Sequence, residues 1–275
     1  MGTKTISVMG CGWLGLPLAE ELVRLGYRVK GSTTTPGKLP LLQEKGIEPF
    51  LISFPENRSE SKLQEFLDAE VLLFNLPPSR SSTDTNSYEE VLQKVLEAAP
   101  ARLKNAVFVS STSVYPDLNR DVTEEDAIPA AEASSLLLRC EFLVQQTFPD
   151  ASTIVRFGGL MGGNRKPGRF LAGKTDVPQP EAPVNMIHLT DAVQVITQIL
   201  EQEKWGFVFN ACAPNHPSRK EFYTKAAQLL ELTPPQFQEQ GELTFKRINS
   251  DFLRQELGFT FRFPDPLVCL SAPEF

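Results

Sequence analysis

A chain of 275 residues with 41% hydrophobic and 22% charged residues is long enough to bury a substantial core and has the balance of an ordinary globular protein. Its net charge of −7 argues against a general nucleic-acid surface, because phosphate backbones are bound chiefly by Lys and Arg. No run approaches the roughly 18 apolar residues of a membrane helix, and Met1-Gly2-Thr3-Lys4-Thr5 leads straight into a strand pattern rather than a signal sequence. A cytoplasmic protein without nucleic-acid or membrane partners is expected.

The organising stretch is Gly10-Cys11-Gly12-Trp13-Leu14-Gly15, set between the apolar run Ile6-Ser7-Val8-Met9 and the helical spacing of Leu18, Ala19, Leu22 and Val23. A buried strand, a tight glycine turn and a helix in that order form the dinucleotide-binding fingerprint. Its glycines turn the chain, admit a pyrophosphate and let helix pack on strand. Gly10, Gly12, Trp13, Leu14 and Gly15 are therefore the first candidate cofactor residues. Cys11 is a small residue between two glycines, placed where a helix N-terminus can lower a thiol pKa. It, Cys140, Cys212 and Cys269 form no C-x-x-C pair and do not cluster with His188 or His216, so neither a metal site nor a disulfide framework is expected.

Gly26 to Gly31 reads as the second strand, ending in Ser32-Thr33-Thr34-Thr35. An NAD site places an acid about 20 residues past the glycines to bind the ribose hydroxyls. Between Glu21 and Glu44 there is none, and Ser32, Thr33 and Lys38 stand where a 2′-phosphate needs donors, which favours NADP with NAD as the alternative. A short strand is expected around Pro49–Ile52. Val71–Leu76 is a buried strand run stopped by Pro77 and Pro78, with Leu76 and Pro77 counted among the cofactor residues. Ser87 and Glu90 form a capping box ahead of Val91, Leu92, Val95 and Leu96. Ala106–Val109 is the next strand, running into the hydroxyl cluster Ser110-Ser111-Thr112-Ser113-Val114-Tyr115 at the edge where open α/β sheets bind ligands.

A helix through Leu136, Leu137, Cys140, Leu143 and Val144 precedes the strand Thr153–Phe157. Residues 158–183 shift to Gly, Pro and cations and form the least regular stretch. His188–Asp191 leads into a helix, Phe207–Asn210 reads as a strand, Ser218 and Glu221 cap a helix, and Ser250–Leu257 is a helix ended by Gly258. The alternation predicts an α/β, Rossmann-type, doubly wound parallel sheet with a small C-terminal substrate lobe. Residues 1–157 form the dinucleotide domain, its sheet completed by 184–212. The remainder, 158–275, supplies the lobe from 158–183 and 213–275.

Gly168–Thr175 fits the G-x-x-x-x-G-K-[ST] phosphate-loop pattern, yet the next eight residues are Asp176-Val177-Pro178-Gln179-Pro180-Glu181-Ala182-Pro183. Three prolines forbid the helix whose N-terminus completes a phosphate cradle, which argues against an ATPase or kinase. Arg165, Lys166, Arg169 and Lys174 nevertheless gather cations on an acidic protein, and an anionic substrate is the working expectation.

These motifs, together with Pro167-Gly168-Arg169-Phe170, Val184-Asn185-Met186-Ile187-His188 with Asp191, and Glu256-Leu257-Gly258-Phe259, span nearly the whole chain. It resembles the extended or atypical short-chain dehydrogenase/reductases of the NAD(P)-dependent epimerase/dehydratase group, and within it the YeeZ-type bacterial proteins. The resemblance implies that Ser111 hydrogen-bonds a reacting oxygen, with Tyr115 as the other hydroxyl. It implies that Arg165, Arg169, Lys174 and Asn185 face substrate, and that His188 and Asp191 brace the sheet edge. In that group a Tyr with a Lys four residues on moves the proton. Here the residues four places after Tyr27, Tyr88, Tyr115 and Tyr223 are Gly31, Leu92, Asn119 and Ala227, and the matching helix has Ala133 and Leu137. The usual proton-transfer pair is missing. The expected function is an NAD(P)-dependent oxidoreductase or epimerase/dehydratase-like protein acting on a small anionic carbonyl or nucleotide-sugar-type substrate, as a monomer or homodimer. The other reading is a catalytically silent NADP(H)-binding sensor or regulatory protein.

Overall fold

The computed structural model describes residues 4–54, 60–78, 88–239 and 241–272. Strand β1 (Thr5–Met9) is buried throughout, and helix α1 (Gly15–Arg24) turns Leu18, Ala19 and Leu22 inward. Then come β2 (Arg28–Thr33), α2 (Leu39–Glu44), β3 (Glu48–Leu51), α3 (Glu60–Leu67), β4 (Val71–Phe74), α4 (Tyr88–Glu97) and β5 (Asn105–Ser111). The chain continues through β6 (Asp121–Val122), α5 (Leu136–Thr147), β7 (Ser152–Phe157), β8 (Gly159–Met161), α6 (Gly168–Leu171), β9 (Met186–His188) and α7 (Leu189–Glu201). It ends with β10 (Val208–Ala211), α8 (Arg219–Gln228), β11 (Arg247–Ile248), α9 (Asp251–Leu257) and α10 (Pro266–Cys269).

Seven strands form one parallel sheet in the order β10-β7-β5-β4-β1-β2-β3, and helices flank it, as a doubly wound α/β chain requires. The second strand starts two residues later than the sequence pattern suggests. Gly26, at φ +89°, closes the end of α1 by donating to the Val23 carbonyl, so extension begins only at Arg28. It then runs on through Ser32 and Thr33, which register with Phe50 and Leu51 of β3. Helices α2 and α3 were not expected from sequence, because their short, mixed segments carry little periodicity. Ser87, expected to cap α4, lies outside the described residues.

Contacts divide the chain into two compact units. The first comprises Met1–Ser110, Pro129–Val155 and Ile196–Val208. Its core includes Met9, Phe66, Phe74, Leu92, Phe108 and Ile154, with the Phe74 and Phe108 rings stacked at 5.7 Å. Buried Lys30 donates to the carbonyls of Glu65 and Asp68, and Ser7 donates to that of Phe66. Side chains from β1 and β2 thus satisfy the carbonyls that the end of α3 leaves open.

The second unit comprises Ser111–Ile128, Arg156–Val195 and Phe209–Phe275. It packs Met161, Val184, Met186, Phe222, Ala226, Cys269 and Leu270 together. Ser218 caps α8 by accepting from the Glu221 amide at 3.2 Å, and Gly258 ends α9 in the left-handed conformation at φ +61°. Gly168 lies so close to α8 that a Cβ there would stand 2.2 Å from the Ala226 carbonyl oxygen. The first glycine of the apparent phosphate loop is therefore a helix-packing residue, and α6 precedes Lys174-Thr175 instead of following them. Among the described residues no helix is long and apolar enough to cross a membrane.

Candidate cofactor and active site

In the first unit the glycine turn connects β1 to α1, and its three glycines have different surroundings. Gly10 adopts φ +99°, a conformation that side chains disfavour. A Cβ on Gly15 would stand 2.1 Å from the Gly10 carbonyl oxygen, whereas one on Gly12 meets nothing within 4 Å among the described residues. Turn, close packing and an open face are the three conditions a pyrophosphate-binding turn needs. Leu14 is buried beside Gly15 and Trp13 is half-buried.

Neighbouring strands hold this turn on both sides. The Gly10 amide donates to Ser32 Oγ at 2.9 Å and the Cys11 amide to the Ser32 carbonyl at 2.8 Å. From just beyond β4, Asn75 Nδ2 donates to the Gly10 carbonyl at 3.1 Å. Leu76 sits against Gly10, and its carbonyl accepts from the Tyr88 hydroxyl at 2.9 Å; Pro77 is exposed. Thr33 Oγ1 accepts from the Thr35 amide, while Thr34 and Lys38 are exposed. Cys11 is buried, and desolvation pushes its thiol up to about 12 against the smaller influences of the Ser32 backbone and Lys38. It stays a neutral packing group, so the acidifying effect of a helix N-terminus loses to burial.

One buried acidic side chain in this unit was not anticipated from sequence. Glu141 is fully buried on α5 and accepts a hydrogen bond from Ser110. Its position among Leu137, Cys140 and Val144 was the available signal, since a carboxyl group on an apolar helix face needs a hydrogen-bond partner.

In the second unit Ser111 ends β5 half-buried, and its Oγ accepts from the Ser113 amide at 3.1 Å, which leaves its own hydroxyl hydrogen available to donate. Tyr115 is 2% exposed and fully engaged. Its hydroxyl donates to Asn210 Oδ1 at 2.7 Å and accepts from Arg156 Nη1 at 2.6 Å. Burial pushes the phenol up to about 12 despite the opposing Arg156 charge. The phenol therefore keeps its proton near neutrality, and that hydrogen is engaged by Asn210 in a buried tie. Arg156 also donates to the carbonyls of Glu124 and Ala127, and the Glu124 carboxylate accepts from the Asn210 amide at 2.7 Å. Burial raises the Glu124 pKa. The arginine in the apolar run Ile154-Val155-Arg156-Phe157 is the one sequence signal for this network.

Arg165, Arg169 and Lys174 are exposed. Asn185, expected to face substrate, has its amide occupied: Nδ2 donates to the Lys246 carbonyl and Oδ1 accepts from the Ile248 amide, both at 2.9 Å. It is a clamp on β11. Asp191 accepts from the Arg262 and Phe263 amides at 2.8 and 3.0 Å, and burial raises its pKa. His188 Nδ1 accepts from the Thr190 amide and its ring lies 4.3 Å from Phe263. A polar cavity of about 570 Å³ in this unit is lined by residues no motif announced, among them Asp121, His216, Arg247 and Arg254. Arg247 pairs with Asp121 and Arg254 with Asp251. Among the described residues no group of three or more His, Cys, Asp or Glu is placed to hold a metal ion.

No protein-family model matches the chain. Protein YeeZ of Escherichia coli K12 is 38% identical over 270 residues, which cover 96% of this chain and 98% of that protein. Among solved structures, a dTDP-glucose 4,6-dehydratase from Bacillus anthracis in complex with NAD superposes with a TM-score of 0.75 at 18% identity, over 96% of this chain and 94% of the other. A UDP-glucuronic acid 4-epimerase from Bacillus cereus, in complex with UDP-glucuronic acid and NAD, gives a TM-score of 0.73 at 17% identity over 98% and 97%. At such identities these two structures establish the fold. The full-length similarity to YeeZ shows that this chain belongs to the YeeZ family.

Proposed function

We propose that this protein binds a nicotinamide dinucleotide, NADP in preference to NAD, and acts on a small anionic carbonyl or nucleotide-sugar-type substrate. The observation that carries the reading is the open face at Gly12, beside a Gly10 turn clamped in place and a Gly15 that admits no side chain. The residues fit the group: a Cβ on Gly12 would fill free space that a diphosphate needs. Gly10, Gly12, Trp13, Leu14 and Gly15 would hold the diphosphate and Leu76 and Pro77 the adjoining part of the ligand. When bound, the dinucleotide supplies hydride transfer.

The preference for NADP rests on the absence of an acid after β2. Ser32 and Thr33 accept hydrogen bonds from backbone amides and keep their hydroxyl hydrogens to donate, and with the exposed Lys38 they are the groups to meet a 2′-phosphate. Ser111, with its hydroxyl hydrogen available, is the group to orient a reacting oxygen, while Tyr115 holds the following turn. Arg165, Arg169 and Lys174 would supply charge to an anionic substrate. The parts played by residues 1–157 with 184–212 and by the remaining lobe belong to this same proposal. The two solved relatives, with NAD and in one case a nucleotide sugar in their complexes, lend support to the class of ligand.

Calorimetric titration of Gly12→Val with NADPH is the test. Because the new side chain's Cβ meets nothing within 4 Å among the described residues, the variant should fold as the parent and bind at least about 100-fold more weakly. Parent-like affinity overturns the reading. A silent NADP(H) sensor is the second reading, favoured by the lack of a Tyr-x-x-x-Lys pair and by the occupied Tyr115 hydroxyl. Nicotinamide absorbance followed across a panel of carbonyls and nucleotide sugars separates the two. An enzyme changes it with one substrate and loses the change in Ser111→Ala, whereas a sensor leaves it constant.

A further inference from the structure

Gly10 has only two polar groups, its amide and its carbonyl, and side chains from two different strands take one each. Ser32 Oγ, at the end of β2, accepts from the amide at 2.9 Å, and Asn75 Nδ2, one residue beyond β4, donates to the carbonyl at 3.1 Å. Asn75 is itself fixed by its own amide, which donates to the Met9 carbonyl at 3.0 Å. The same Nδ2 would stand 2.8 Å from a Cβ on Gly15, so the carboxamide lies at the junction between the turn and the first residue of α1.

The Gly10 carbonyl, in a turn at φ +99°, has one backbone donor, the Gly12 amide at 2.8 Å, and the Asn75 carboxamide is its second. If the Gly10 carbonyl rotated toward the open face at Gly12, it would aim a partial negative charge at the space a diphosphate needs. The Asn75 donor reinforces the Gly12 amide in holding the oxygen turned away, and leaves to the anion the amides that follow Gly12. We propose that Asn75 is a positioning residue for diphosphate binding, acting through the Gly10 carbonyl; this rests on the dinucleotide reading of the glycine turn. The carboxamide is needed as a donor. An isosteric carboxylate at this position offers only acceptors near neutrality, turns attraction to the Gly10 oxygen into repulsion, and adds a negative charge beside the anion. An apolar isostere removes the tie without adding charge.

The test compares NADPH, ADP-ribose and adenosine on the parent, Asn75→Asp and Asn75→Leu, by calorimetry for the first two and ligand-observed NMR for the last. Adenosine carries no phosphate, so it reports the rest of the site. NADPH and ADP-ribose should weaken together, roughly 10-fold in Asn75→Leu and roughly 100-fold in Asn75→Asp, with adenosine binding within about twofold of the parent. Equal losses for all three ligands would mean that Asn75 only maintains the fold, and unchanged NADPH affinity in Asn75→Asp would mean that it does not position the turn; either overturns the proposal. If Asn75→Asp does not fold, the Asn75→Leu comparison decides by the same two criteria. A parent that binds neither NADPH nor ADP-ribose instead overturns the dinucleotide reading itself, and this inference with it.

Discussion

The hydroxyl of Tyr115 shows how far a side chain's chemistry depends on where it is buried. A tyrosine four residues after Ser111, at the edge where open α/β sheets bind ligands, has the right chemistry to donate a proton. Its hydrogen goes instead to Asn210, its oxygen takes one from Arg156, and burial holds the phenol near 12. Tyr115→Phe should therefore act on stability. It leaves the Arg156 donor and the Asn210 acceptor without their shared partner in a buried setting, a loss of about 1–3 kcal/mol. Urea unfolding measures it; a change under about 0.5 kcal/mol, with catalysis abolished, would return Tyr115 to the role of proton donor. Ser111 contrasts with it, because only its acceptor side is engaged.

At the scale of elements, short polar ties set the conformation where hydrophobic pattern is weak. The turn at Glu124–Asp126 is a capping box in which Asp126 accepts from the Thr123 amide at 2.8 Å and from Arg120. These partners, Arg120 foremost, hold the Asp126 carboxyl down at about 2 from its usual 3.8. A depressed carboxyl contributes stability that is complete above its unfolded value and is lost as the pH falls through the folded one. Asp126→Asn should accordingly flatten the melting-temperature profile between about pH 4 and pH 2 relative to the parent. Glu124 and Asp191 are raised by burial, so their contributions have the opposite sign and decline as the pH rises. They are common to both proteins and cancel in the difference. Parallel profiles for parent and variant would show that the Arg120 pair does not survive in solution.

For the molecule as a whole, the proposed ligand should be visible as stability. Binding to the folded state alone adds about 2.7 kcal/mol at a ligand concentration 100 times the dissociation constant. NADPH should therefore raise the melting temperature of the parent and leave that of Gly12→Val unmoved, while the two ligand-free proteins melt together because no described residue lies within 4 Å of the new Cβ. A ligand-induced rise of equal size in both would place the binding elsewhere.

The amino-acid sequence alone determined the order of the main strands and helices, the glycine turn, the absence of an acid after β2 and the lack of a Tyr-x-x-x-Lys pair. Each is written in neighbouring residues, where apolar spacing, glycine and proline act locally. Which buried polar group meets which was decided only by the tertiary structure. Asn75 reaches Gly10 across 65 residues and Tyr115 reaches Asn210 across 95. Spacing can signal that a side chain is buried, as the apolar neighbours of Arg156 and Glu141 do, but a buried donor or acceptor takes its partner from whatever strand or helix the folded sheet sets beside it. For this reason the glycine turn could be read from one hexapeptide, while the partners of Tyr115, Asn185 and Asn75 emerged only once the chain had folded around them.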